Sequence, residues 1–201
     1  YGVTDLVRYD ARSRVNTFVH VNYEAARPRY GVLLCVNGTG ILWSWLRRLL
    51  GAAGVTPPYP VLNEAASRAP VGSDGLVVLP FGNGAERTLD NRDPGAAVVG
   101  LRLTRHGPDH LLRASTEGIV FALRHGLDIM RAMGVEVRAV RAGHSNLFLS
   151  PLFASAFSTV TGATVQLYDT DGSQGAARGA GVGAGLFRDL REAFAGLRTV
   201  R

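Results

Sequence analysis

Lysine is absent from this sequence: all 22 of its basic residues are arginine. That absence removes several classes of chemistry. A Walker A loop needs a lysine against the β- and γ-phosphates, protein-kinase sites need one on a strand, and Schiff-base enzymes need an amine. Cysteine is nearly absent too. Cys35 stands alone, so no internal disulfide can form, and its place in the apolar run from Val32 to Val36 reads as a small buried hydrophobe. No apolar run reaches the roughly 18 to 20 uncharged residues of a bilayer-crossing helix, and no charged-then-apolar leader is present. A cytoplasmic protein with no membrane partner is the expectation.

What is present supports a packed domain. Of 201 residues, 46% are hydrophobic, enough for one large core or two small ones. The formal charge is +6, but the arginines are scattered, Arg47 and Arg48 being the densest pair. A phosphate-backbone footprint would gather them on one face among aromatics, so no nucleic-acid partner is expected. The chain begins at Tyr1 without a methionine and alternates at once like a strand. This predicts a natural N-terminus further upstream and makes residues 1–201 a fragment of a longer protein.

Three β-rich runs open the chain: Val3 to Tyr9, Val15 to Val21 and Tyr30 to Val36, separated by turn-like polar residues. They predict an antiparallel meander. Apolar residues then recur every three or four positions from Ile41 to Leu50, an amphipathic helix stopped by Gly51. A shorter helix is expected from about Val61 to Ser67, a buried strand over Leu76 to Pro80, and a long polar loop from Phe81 to Ala97. The longest helix should start near Pro108 and Asp109 and end at Met133, with Gly134 as a left-handed stop. Its apolar stripe is Leu111, Leu112, Ser115, Ile119, Ala122, Leu123, Leu127 and Met130. Strand, helix, strand and helix follow over Val135–Val140, Asn146–Val160, Ala163–Tyr168 and Gln174–Gly185, and Leu186 to Arg201 has the pattern of a final amphipathic helix. A mixed sheet with helices on both faces accounts for this order. The Gly/Ala composition of the 174–185 helix costs about 1 kcal/mol for each interior glycine, and close approach of its backbone to another element is the expected compensation.

Three glycine-bearing segments end strands or open helices: Asn37–Gly40, Arg141–Asn146 and Asp169–Ser173. Unpaired backbone N–H groups and the helix dipole make such turns fit to hold phosphate, and a doubly wound sheet gathers them beyond the carboxyl ends of its strands. The spacing does not match the dinucleotide fingerprint, since Trp43 stands where a third glycine would be. His106 and His110 are four apart, but Pro108 interrupts any helix that would align them, and no third metal ligand is evident. Glu86, Asp90 and Asp93 beside Arg87 and Arg92 read either as a solvated charge cluster or as a loop lining a polar substrate cleft.

From Val77 onward the order of segments resembles the FGGY carbohydrate kinases, sugar kinases of the actin-like ATPase superfamily, and is closest to their xylulokinase branch. The stretch Leu79-Pro80-Phe81-Gly82-Asn83-Gly84-Ala85-Glu86-Arg87-Thr88 is similar to the family's Leu-Pro-Tyr-x-x-Gly-Glu-Arg-Thr-Pro, with one extra residue and Leu89 in place of proline. Gly100-Leu101, eight residues, then His110-Leu111-x-x-Ala114-Ser115-x-Glu117-Gly118 follows the C-terminal signature, with polar Thr116 where an apolar residue is usual. The run Arg141-Ala142-Gly143-His144-Ser145-Asn146 falls at the adenosine loop but keeps only one of its glycines.

The resemblance implies a ribonuclease-H-like α/β domain that forms the ATP side of an interdomain cleft. It implies ATP and Mg²⁺ as cofactors and a ketopentose such as D-xylulose as acceptor. Gly40 and Ser44 match positions facing the nucleotide phosphates, and Gly143, His144 and Asn146 fall in the adenosine loop. The catalytic aspartate and the phosphate-gripping hairpin would lie upstream of Tyr1, on the missing N-terminal domain, which leaves no catalytic residue within this chain. The resemblance also leaves room for a homodimer. Two alternatives remain open on the residues alone: a non-catalytic nucleotide-binding sensor module, or a kinase for glycerol, ribulose or gluconate.

Overall fold

The computed structural model describes residues 1–52 and 54–200. Strands β1 (Gly2–Thr4), β2 (Asn16–Val19) and β3 (Tyr30–Leu33) form an antiparallel sheet in the order β1-β3-β2. The order differs from a meander, in which the second strand would be central. Both outer strands pair with β3, Val3 facing Gly31 and Phe18 facing the same glycine from the other side. The last strand takes the centre because it carries the buried pair Gly31 and Val32, whereas Val3 and Val19 are exposed. A side chain at position 31 would run into the Phe18 ring. The chain leaves the sheet at Leu33, so Cys35 is exposed rather than buried, its thiol beside Asn37 Oδ1 at 3.4 Å.

Helix α1 (Thr39–Leu50) forms where the periodicity places it, but it buries Leu42, Trp43 and Leu46 and leaves Ile41, Trp45 and Leu49 exposed. Helix α2 (Tyr59–Arg68) buries Leu62, Ala65 and Ala66. Strands β4 (Val77–Leu79) and β5 (Ala97–Val99) pair antiparallel across the polar segment between them. Helix α3 (Pro108–Ala132) opens with proline in its first turn and is followed by Gly134 at φ +80°, the left-handed stop that glycine alone adopts without strain. Of its stripe, Leu112, Ser115, Ile119, Ala122, Leu127 and Met130 are buried and Leu111 and Leu123 partly so, and Arg113, Ala114, Thr116, Glu117, Gly118 and Val120 are buried as well. The first half of the helix is therefore enclosed, with α2, β4 and α4 packed on it, and its second half keeps an exposed face at Phe121, His125 and Asp128.

The second half is a parallel pair, β6 (Ala139–Gly143) and β7 (Thr164–Tyr168), joined through helix α4 (Pro151–Thr161). β6 starts later than Val135, which instead packs into the core. The helix expected from Asn146 is divided. Asn146–Leu149 form a 3₁₀ turn, and α4 starts only at Pro151, capped by the Ser150 hydroxyl, which accepts from Phe153 N–H at 3.3 Å. A proline at 151 is suited to a first turn and unsuited to a helix interior.

Helix α5 (Gly172–Gly183) begins two residues earlier than expected, capped by Asp171. The final segment contains only a four-residue helix, α6 (Leu190–Ala193). Beyond it the chain runs extended along β7: Asp169 N–H donates to Arg198 O at 2.9 Å and Val200 N–H to Leu167 O at 2.8 Å. The hydrogen-bonded strands form, among the described residues, three small sheets, of which the β4–β5 pair packs against α3. Among the described residues, no helix is long and apolar enough to cross a membrane.

Candidate functional site

The start of α1 is held from outside the helix. Gly38 is its N-cap and makes no side-chain cap hydrogen bond, and no acid lies in the first turn. The backbone N–H groups of that turn therefore have no side-chain acceptor. A Cβ on Gly38 would overlap the Pro80 carbonyl oxygen, so only glycine lets the turn seat against the end of β4. Asn37 is bound on every side. Its N–H donates to Glu86 Oε2 at 3.0 Å and its Nδ2 to Ala85 O at 2.7 Å. Its carbonyl accepts from Asn83 Nδ2 at 3.1 Å. Gly40, by contrast, faces open space.

Glu86 corrects the reading of the 81–97 segment. It is fully buried, not part of a solvated cluster, and its Oε1 accepts from Thr88 N–H at 3.1 Å and Thr88 Oγ1 at 2.9 Å. The segment folds back on itself, with Glu86 N–H donating to Arg92 O at 2.8 Å. Outside this knot, Asp90 pairs with Arg12 and Arg87 bonds Asn16.

The second glycine-bearing turn lies at the carboxyl end of β6. Gly143 is needed there because a Cβ would overlap the Thr170 carbonyl oxygen, which brings the turns after β6 and β7 against each other. His144 continues the sheet, its N–H donating to Tyr168 O at 2.8 Å, and its side chain is exposed. Asn146 adopts φ +52°, a conformation asparagine tolerates better than most side chains. The 3₁₀ turn after it is anchored by Phe148, whose ring meets Phe153 and Phe157 edge-on at 5.2 and 5.7 Å between centroids.

The first two turns meet at one cavity of about 620 Å³, lined by Gly40, Trp43 and Thr116, by the α2 face Tyr59, Pro60, Asn63, Glu64 and Ser67, and by the stretch from Asn146 to Phe153 except Phe148. Such a volume suits a small organic ligand. Of the expected site residues, Gly40 and Asn146 line it. Ser44 sits one helical turn on, its hydroxyl accepting from Arg48 at 2.9 Å, and Ser44, Gly143 and His144 are not among the residues that line the cavity. The third turn stays out of the cavity. Asp171 already occupies the N-terminus of α5, accepting from Gln174 N–H at 2.9 Å and Ser173 Oγ at 2.6 Å, and the Ser173 hydroxyl holds its carboxyl below the usual range.

The α2 wall is not evident from the sequence alone, although a signal for it exists. Asn63 and Ser67 are spaced four apart beside the apolar stripe of Leu62 and Ala66, which puts a polar face on a short helix. Among the described residues, Glu64 is the single charged one lining the cavity. Thr116, polar where an apolar residue is usual, is buried and donates to Leu112 O at 3.0 Å while lining the cavity floor.

His106 and His110 are brought together despite Pro108, with ring centroids 5.4 Å apart. The helix begins at Pro108 itself and the preceding turn folds back. Each Nδ1 accepts a backbone N–H, from Arg102 and Gly107 respectively, and each Nε2 faces Asp74 at 3.3 Å. Burial pushes the Asp74 carboxyl upward, but Arg105 and His110 outweigh it and its pKa is lowered. The cluster ties the start of α3 to the 3₁₀ turn at Ser73–Gly75.

Residues 4–185 match the model of the C-terminal domain of the FGGY family of carbohydrate kinases. The chain belongs to that family. Xylulose kinase of Escherichia coli is 32% identical over 129 residues, 64% of this chain and 25% of the relative. Gluconokinase of Bacillus subtilis is 33% identical over 95 residues, 44% of this chain and 18% of the relative. Among solved structures, a xylulose kinase from Rhodospirillum rubrum superimposes with a TM-score of 0.73 at 25% identity, over 99% of this chain and 39% of that one. This FGGY domain therefore spans a quarter or less of these two curated relatives and about two fifths of the structural one. The fold is that of the actin-like FGGY kinases.

Proposed function

We propose that residues 1–201 form the nucleotide-side domain of a cytoplasmic carbohydrate kinase, and that the cavity between α1, α2 and the Asn146–Phe153 stretch receives ATP. The observation that carries this reading is that Gly40 and Asn146, distant in sequence, line one cavity. The apolar side chains of Tyr59, Pro60, Leu147 and Leu149 suit the faces of a purine. Asn63, Ser67 and Asn146 offer hydrogen bonds to its edge and ribose. The polyphosphate would run to the α1 N-terminus at Gly38–Gly40, where free amides and the helix dipole favour negative charge, with Ser44 one turn behind. Gly143 and His144 shape this wall through the backbone.

Phosphoryl transfer depends mainly on positioning and charge neutralisation, and a single domain supplies one wall of the cleft. Glu64 is the one carboxylate along the cavity among the described residues, so these residues do not build a cage for Mg²⁺. The ion would arrive with the polyphosphate. A further N-terminal domain of the parent protein would bring the base and most sugar contacts, with D-xylulose as the acceptor, and closure of the two walls would exclude water. Pairing of two parent chains into a homodimer belongs to the same proposal, and light scattering on the parent protein tests it.

Trp43 lines the cavity, so titration with MgATP should give a saturable change in tryptophan fluorescence that Asn146→Ala weakens. Absence of any saturable change would overturn the cavity assignment. Sugar-dependent ADP release should be found with the parent protein, fastest with D-xylulose in a panel including gluconate, ribulose and glycerol, and not with residues 1–201 alone. Release by this chain alone would overturn the division of labour between two walls.

A further inference from the structure

Among the buried charged residues, Glu86 is unusual. Arg113 and Glu117 neutralise each other at 2.6 Å, whereas Glu86 is fully buried and has no ion pair among the described residues. A carboxylate without a cation is costly to bury unless neutral donors surround it. Its three donors are Thr88 N–H, Thr88 Oγ1 and Asn37 N–H. Two belong to its own loop and would be available to any carboxylate there. The third reaches across the molecule to the residue that precedes the N-cap of α1.

We propose that Glu86 is a positioning residue for phosphate binding: it fixes the Asn37–Gly40 turn so that the first amides of α1 point into the cavity. The inference rests on the nucleotide reading above. The geometry around the bond is selective. Asn37 is locked by four contacts to residues 35 and 83–86, and Gly38 is seated on the Pro80 carbonyl. Two residues later the same chain lines the cavity at Gly40. Three of the four contacts on Asn37 use neutral groups, a thiol, a main-chain carbonyl and a side-chain amide, and one uses a carboxylate. A charge-assisted bond is the stronger kind, and this one sets the direction of the Asn37 peptide plane.

Glutamine at position 86 presents one oxygen and one NH₂ group. It can serve Asn37 or Thr88, and it leaves the other N–H facing a donor. The purine and ribose contacts proposed above lie on α2 and the Asn146–Phe153 stretch, away from this turn. Loss of positioning should therefore weaken ligands that carry phosphates and spare those that do not.

The test compares ATP, ADP and adenosine binding by calorimetry in the wild-type protein, in Glu86→Gln and in Thr88→Val, which removes one loop donor without touching the Asn37 bond. Glu86→Gln should lose about tenfold in ATP and ADP affinity with adenosine affinity unchanged, and Thr88→Val should leave the ATP-to-adenosine ratio at the wild-type value. A merely structural role would lower all three ligands together, and that result overturns the proposal, as does unchanged ATP affinity in Glu86→Gln. Should Glu86→Gln not fold, Glu86→Asp keeps the charge but shortens the reach to Asn37, and the same selective loss is expected. Failure of both variants to fold would assign Glu86 to folding and overturn the proposal. A wild-type protein that binds none of the three ligands would instead overturn the nucleotide reading, and this inference with it.

Discussion

Helices α3 and α5 both carry residues that helix propensity disfavours, and they meet that cost in opposite ways. Gly118 in α3 lies so near β4 that a Cβ would overlap the Val78 carbonyl oxygen, and Gly126 gives its space to the Leu34 side chain. Each glycine there is exchanged for close packing. In α5, positions 172, 175, 179 and 183 have nothing within 4 Å of where a Cβ would be, and only Gly181 meets a neighbour, the Phe187 ring at 2.8 Å. The expected compensation for the Gly/Ala helix, close backbone approach, is therefore absent at four of its five glycines. The same residue serves a core helix in one case and an open one in the other.

The largest loss of stability is expected at Glu117. Its carboxylate accepts from Arg113 Nε at 2.6 Å and from Gly72 N–H at 3.1 Å, inside the packed side of α3. Glu117→Ala leaves a buried guanidinium and a buried N–H without partners, and should cost about 3–5 kcal/mol, read as a fall in the urea midpoint at unchanged slope. Gly118→Ala comes next. The obstacle is backbone, which cannot rotate away as a side chain can, and the strain should cost about 2–3 kcal/mol. A neutral outcome at Gly118 would mean that α3 can slide on β4 and that its close packing is not what holds the glycine there.

How much of the molecule is legible in its sequence depends on whether the decisive contact is local. The periodicity of α1 and α3, the Gly134 stop and the Gly38–Gly40 and Gly143–Asn146 turns all follow from spacing within one segment. The order β1-β3-β2 does not, because either outer strand can pair with β3 antiparallel, and burial of Gly31 and Val32 settles which one is central. Glu86 is misleading for the same reason: nothing in the run Gly84 to Thr88 shows that Asn37 will donate to it. The polar face of α2 is likewise indistinguishable from a solvent-facing one until the Asn146–Phe153 stretch packs opposite, so this wall of the cavity is hidden from the sequence.

A polar contact outside both helices calibrates the scale. Asp10 accepts from the Arg14 guanidinium at 2.8 and 2.9 Å and from Arg14 N–H at 2.8 Å. The guanidinium hydrogen bonds hold its carboxyl down at about 2, against an ordinary 3.8. A carboxyl lowered in the folded state stabilises it fully above the unfolded value, and that contribution is lost as pH falls from about 4 through about 2. Asp10→Asn should cost about 1–2 kcal/mol at neutral pH and flatten the stability curve over that acid window. An unchanged acid limb would place the Arg14 bonds in the unfolded chain as well.

The smallest effect has the opposite sign. Gly179 is exposed, mid-helix and free of neighbours, so Gly179→Ala removes backbone freedom from the unfolded chain without straining the folded one. It should stabilise the domain by about 0.5–1 kcal/mol, a rise of a few degrees in melting temperature. Gly181→Ala, two residues on, must displace the Phe187 ring and should gain less or lose. A loss at Gly179 equal to that at Gly181 would show that the open face of α5 is packed in solution, and the contrast with α3 would then disappear.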